Sequence, residues 1–165
     1  MSKAFTRESD DAPESPEWIR QRSPLPPGVK NYITHHGVRL LRDALQRLIE
    51  SPTPPGPRTP NALDPQIAAL TEILGSVVVV ALPPPPWEQV KFGAAVQVRT
   101  QSGEMREYRI VGVDETDIDR GWVSWLSPIA KALLNARVRE HVRFRFPSGE
   151  DSLEILSIRY PEEIP

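Results

Sequence analysis

A chain of 165 residues, 39% hydrophobic and 25% charged, holds enough apolar material for one domain and an appendage. Its formal charge of −2 gives no whole-molecule attraction to nucleic acid, so any contact with an acidic partner must come from a local basic patch. The absence of cysteine excludes disulfides, thiolate zinc sites and cysteine nucleophiles.

Residues 1–30 mix charge, serine and proline with few apolar side chains, which predicts a mobile tail in which Phe5, Trp18 and Ile19 are the candidate docking groups. A first helix is expected from the N-cap Thr34 to about Glu50, where Ser51-Pro52 stops it; Val38, Leu41, Leu45 and Leu48 form its apolar stripe. A second helix opens at Asp64-Pro65, with Ile67, Leu70, Ile73 or Leu74, and Val77 as its stripe. Two such stripes joined by a proline-rich connection (51–65) predict a short antiparallel hairpin over 31–82, with arms of roughly 24 Å. The apolar run 77–82 can finish the second helix or begin a strand, and periodicity leaves both open. It is too short to span a bilayer, the N-terminus has no apolar signal core, and a cytoplasmic monomer is expected. The prolines at 83–86 make 83–89 a semi-rigid linker.

From Val90 the period becomes two. Strands are expected around 95–99, 105–113, 121–126, 141–146 and 153–160, with turns at Ser102-Gly103 and Pro147-Ser148-Gly149. Ser127-Pro128 is an N-cap and first-turn pair opening a short helix that ends near Asn135. Four or five antiparallel strands with one packed helix over 90–165 make an α+β domain.

Few residues suggest chemistry. His35-His36 lies in a helix's first turn without carboxylates at ligand spacing, so no metal and no cofactor are expected. Arg143 and Arg145 share a strand face with His141, and Arg137 and Arg139 lie nearby; this stripe can contact RNA or an acidic surface, or simply face solvent.

Two runs resemble the signatures of the Gre family of bacterial transcript-cleavage factors. Tyr108-Arg109-Ile110-Val111-Gly112-Val113-Asp114-Glu115-Thr116-Asp117 resembles the first. Gly121-Trp122-Val123-Ser124, followed by Ser127-Pro128-Ile129-Ala130-Lys131-Ala132-Leu133-Leu134, resembles the second. Pro147-Ser148-Gly149-Glu150 and the stretch 155–160 are similar to the family's closing hairpin. Asn31-Tyr32-Ile33-Thr34 with Gly37, Leu40, Leu41 and Leu45 is similar to the opening of its coiled coil, and Met1 to Phe5 with the following acidic run to a GreB-type start.

The resemblance implies a helical hairpin followed by an FKBP-like domain that docks at the rim of the RNA polymerase secondary channel. Asp114, Glu115, Leu126, Ser127, Pro128, Ala130 and Lys131 are the polymerase-binding candidates it implies. In the family, acidic residues at the hairpin tip help to hold a second magnesium ion in the polymerase active centre, and that ion activates water for cleavage of backtracked RNA. This chain departs from the pattern. Between Leu48 and Ile67 its only acidic residues are Glu50 and Asp64, and Leu126 stands where the family carries Asp or Asn before the Ser-Pro. The expectation is a non-enzymatic polymerase-binding regulator without cleavage stimulation. The alternatives are an active cleavage factor using Glu50 and Asp64, and a prolyl isomerase suggested by the fold alone.

Overall fold

The structure, a computed structural model, describes residues 25–50 and 64–161. The expected tail up to residue 24 and the proline connection 51–63 lie outside the described residues. Strand β1 (Asn31–Ile33) leads into helix α1 (His35–Glu50), and helix α2 (Pro65–Ser76) leads into strand β2 (Val77–Val79). Both helix starts are capped as their sequences predict. Thr34 Oγ1 accepts the Gly37 N–H, and the Asp64 carboxylate accepts the Gln66 N–H ahead of Pro65.

The run after α2 resolves to a strand. Val77 is extended, its N–H closes the helix on the Ile73 carbonyl, and Val77 to Val79 pair in parallel with β1, Asn31 opposite Val77. That pairing ties the start of α1 to the end of α2, so the helices form a hairpin. Ile33, Val38, Leu41, Leu70 and Ile73 are its buried core, flanked by Leu45, Leu48, Leu74 and Val77. Among the described residues no helix is long and apolar enough to cross a membrane.

The rest of the chain is a five-stranded sheet of order β5-β4-β3-β7-β6. Its strands are β3 (Ala95–Thr100), β4 (Met105–Val111), β5 (Trp122–Ser124), β6 (His141–Phe146) and β7 (Gly149–Arg159), with helix α3 (Pro128–Leu133) packed on one face. Val90, Val96, Val98, Ile110, Leu153 and Ile155 join Ala130 and Leu133 of α3 in the core.

The α+β fold class holds, with differences in detail. β4 was expected to run on to Val113 but ends at Val111, because Val113–Glu115 forms a 3-10 turn. The excursion from 112 to 121 reverses the chain twice, so β5 pairs with β4 in parallel rather than antiparallel, Arg109 opposite Trp122. The last strand begins at Gly149, as the other half of a tight hairpin with β6. Ser127 caps α3 by accepting the Ala130 N–H, and Asn135 ends it at φ 68°.

Candidate functional site

The hairpin is fastened to the sheet domain where β1 and the first turn of α1 meet the 3-10 turn. Glu115 is 6% exposed. Its carboxylate accepts the Thr34 N–H at 2.9 Å, the Gly112 N–H at 2.9 Å and the Thr34 hydroxyl in a short hydrogen bond. The same hydroxyl accepts the Gly37 N–H at 3.0 Å.

This is a capping box divided between two elements. An ordinary box takes its acid from the third helical residue, which reaches back to the N-cap N–H. Here that third residue is Gly37, and the acid is Glu115, 81 positions away in sequence. The substitution is steric: a Cβ on Gly37 would stand 2.3 Å from Glu115 Cδ. On the other side, a Cβ on Gly112 would stand 2.2 Å from the Tyr32 carbonyl oxygen, so Gly112 lets β1 approach closely. Asn31 Nδ2 completes the seam by donating to Asp114 Oδ2 at 2.8 Å.

The buried acid is electrostatically exposed to a conflict. Burial pushes the Glu115 carboxyl up from its ordinary range, against the hydrogen bonds from Thr34 and Gly112 and the positive charge of Arg109, all of which favour the ionised form. Arg109 lies 5.1 Å from the centre of the Trp122 ring and Arg120 5.5 Å, and His36 meets the same ring edge-on at 5.5 Å. Beyond this seam α1 and the turn diverge, leaving a cleft of about 430 Å³ lined by Leu40, Ala44, Arg47, Asp117, Arg120 and Trp122, among others.

The structure therefore divides the seven candidate contacts named from the sequence. Glu115 is buried in the seam and Asp114 is half-buried beside it. Leu126 and Ser127 are half-buried and Pro128 and Lys131 exposed, while Ala130 is fully buried beneath them. Trp125, next to Leu126, turns inward and meets the Tyr32 ring edge-on at 5.3 Å. Arg137, Arg139, Arg143, Arg145 and His141 are exposed, in acidic company: Arg145 pairs with Glu150 at 2.9 Å, the Arg137 N–H bonds Glu140, and His141 lies opposite Glu154.

Of the two hairpin acids, Asp64 is committed to capping α2, and Glu50 accepts from Gln46 Nε2 at 2.5 Å. Among the described residues no group of three or more His, Asp or Glu is arranged to hold a metal ion.

Residues 85–160 match the family model of the GreA/GreB transcription elongation factor C-terminal domain. GreB of Neisseria meningitidis serogroup B is 32% identical over 155 residues, covering 80% of this chain and 95% of that protein. The chain belongs to the GreA/GreB family. GreB of Xanthomonas axonopodis pv. citri is 34% identical over 134 residues, covering 74% of this chain and 80% of the relative. Among solved structures, a GreA/GreB factor from Nitrosomonas europaea is 21% identical with a TM-score of 0.42, covering 79% of this chain and 100% of the other.

The two Gre signatures lie on either side of the β4–β5 pair. The first forms the end of β4 and the 3-10 turn, and the second forms β5, the Ser127 cap and α3. Sequence reasoning placed Asp114 and Glu115 among surface contacts and missed Asn31, Thr34, Gly37 and Gly112 as partners in one seam. A signal was present: a capping-box position occupied by glycine asks for an acid from elsewhere.

Proposed function

We propose that this GreA/GreB-family chain is a transcription elongation regulator that binds RNA polymerase at the secondary-channel rim and does not stimulate transcript cleavage. Leu126, Ser127, Pro128 and Lys131 supply contact surface over the buried Ala130, and Asp114 and Glu115 contribute from the seam with the hairpin. Arg137, Arg139, Arg143 and Arg145 supply a weaker contact to RNA or an acidic polymerase surface. The protein acts as a monomer without a cofactor of its own.

The observation that carries the non-cleaving reading is the chemistry of the hairpin's far end. The connection 51–63 contains no Asp or Glu, and the two acids that flank it are already engaged, Asp64 as a helix cap and Glu50 with Gln46. A hard cation needs several oxygen ligands within about 2–2.6 Å, which two separated, engaged carboxylates do not supply. Reach supports the same reading. Helices of 16 and 12 residues extend roughly 24 and 18 Å.

Core polymerase pull-down, with competition by a cleavage-competent Gre factor, tests the binding half. Capture that the competitor displaces is expected; no capture at micromolar protein would remove the proposal.

A further inference from the structure

The sheet ends at β6, and no strand pairs with its far side among the described residues. The Glu140 carbonyl accepts the Ile155 N–H at 2.9 Å, so the backbone of residue 140 points toward β7. Backbone groups alternate in direction along a strand. Val142, Phe144 and Phe146 therefore turn theirs to β7, and the N–H and C=O of His141, Arg143 and Arg145 lie on the open edge. Such an edge is a template for a further strand. β3 pairs with β7 only from Leu153 onward, so the end of the β6–β7 hairpin continues past β3 as a two-stranded ribbon.

The two faces of this edge differ. Opposed residues of an antiparallel pair share a face, so Arg143 and Arg145 lie with Ser152 and Glu150, and Phe144 and Phe146 with Asp151 and Gly149. The two phenyl rings are 5.5 Å apart, and Phe146, across from a glycine, stays 38% exposed. On the other face His141, Arg143 and Arg145 are all exposed. Arg145 pairs with Glu150 at 2.9 Å, yet its side chain is 88% exposed, so it exchanges partners at little cost.

This pattern selects the occupant. A second copy laid along the edge with matching faces sets basic side chains against basic ones, which is unfavourable. A strand with an acid at every second position sets carboxylates opposite His141, Arg143 and Arg145, the same residues whose backbone groups it pairs. Its intervening apolar side chains then lie beside Phe144 and Phe146. RNA satisfies the charges but does not present the alternating donors and acceptors of a strand. We propose that the open edge of β6 takes up an extended segment of a partner protein, alternating acidic and apolar residues, as an added strand of the sheet. Such a segment is one form of the acidic surface proposed above for Arg143 and Arg145. The test uses no polymerase, so its failure leaves polymerase capture standing.

The isotopically labelled full chain is titrated with a capped peptide alternating Glu and Val, and its amide resonances are followed. Shifts centred on β6 are expected, with slowed solvent exchange of the His141, Arg143 and Arg145 amide protons. The same peptide N-methylated at its Glu residues keeps its charge but loses the pairing donors, and should bind at least about tenfold more weakly. The double variant Arg143→Glu, Arg145→Glu should lose the Glu peptide and take up one alternating Lys and Val, a reversal that a misfolded chain does not show. No shifts at about millimolar peptide, or equal binding of the methylated peptide, would overturn the proposal. So would β6 shifts with oligouridylate that the Glu peptide does not produce.

Discussion

Glu115 caps the helix that begins at Thr34 although the two residues lie on different structural units: its carboxylate accepts both the backbone N–H and the hydroxyl of Thr34. The N-terminal helix of the hairpin is thus capped by the sheet domain, and this buried side chain couples the two units beside the Asn31–Asp114 hydrogen bond and the Tyr32–Trp125 ring contact. Removing that acid leaves the Thr34 and Gly112 N–H groups buried without an acceptor, and each such group costs about 1–3 kcal/mol. Glu115→Ala is therefore expected to destabilise the chain by about 3 kcal/mol in urea unfolding, and Thr34→Ala by about 2 kcal/mol. The double variant should fall well short of the sum, because both changes break the same network; additive losses would show that the two residues act independently.

Gly37 and Gly75 make a matched pair of helical glycines with opposite predicted behaviour. Replacing an interior helix glycine by alanine ordinarily gains about 1 kcal/mol. At Gly75, in the last turn of α2, a Cβ meets nothing within 4 Å, so Gly75→Ala should stabilise by up to about 1 kcal/mol. At Gly37 the Cβ would stand 2.3 Å from Glu115 Cδ, so the sign reverses and Gly37→Ala should cost about 2 kcal/mol or more. Thermal melts of the two variants side by side decide it; a stabilised Gly37→Ala would rule out the divided capping box.

The raised carboxyl of Glu115 gives a pH dependence with a definite sign. The folded chain holds this proton to higher pH than the unfolded chain, whose ordinary value is 4.5. Between the two values the folded state binds more protons, so this group's contribution is fully present below pH 4.5 and is lost as pH rises through the folded value. The stability of the native chain minus that of Glu115→Gln should therefore decline with rising pH above 4.5 and then level off. Urea midpoints of both proteins, measured at steps up to neutral pH, give the difference curve; a rising curve would mean that the hydrogen bonds outweigh burial.

Lys131 offers a test of the proposed docking surface that leaves the fold alone. It is exposed on α3 beyond the Ser127 cap, and exposed substitutions away from caps and cores usually stay within about 0.5 kcal/mol. Lys131→Glu is expected to weaken polymerase capture several-fold with an unchanged melting temperature. Unchanged capture would remove Lys131 from the surface.

Much of the architecture was legible because local rules agreed with tertiary structure. Thr34, Asp64-Pro65 and Ser127-Pro128 announced three helix starts, and Asn135 the end of one, because caps depend on near neighbours. The run after Gly75 stayed ambiguous because its strand exists through pairing with Asn31 to Ile33, a partner that periodicity does not reveal. The parallel β4–β5 pair was missed for a similar reason: the reversal between 112 and 121 depends on Asp117 bridging to Trp122. The seam was half legible. Its two halves stood out as separate runs, but joining Glu115 to Thr34 required the folded chain, and an acid in a hydrophilic run reads as surface until its burial is known.

The central claim is binding without cleavage, and one assay on backtracked elongation complexes addresses it. The protein is added with magnesium at a concentration that displaces a cleavage-competent Gre factor, and transcript lengths are followed with time. The account predicts full-length transcripts and suppressed cleavage by the competitor. Transcripts shortened by this protein alone would contradict it and would assign Glu50 and Asp64 a role that their hydrogen bonds in this structure do not suggest.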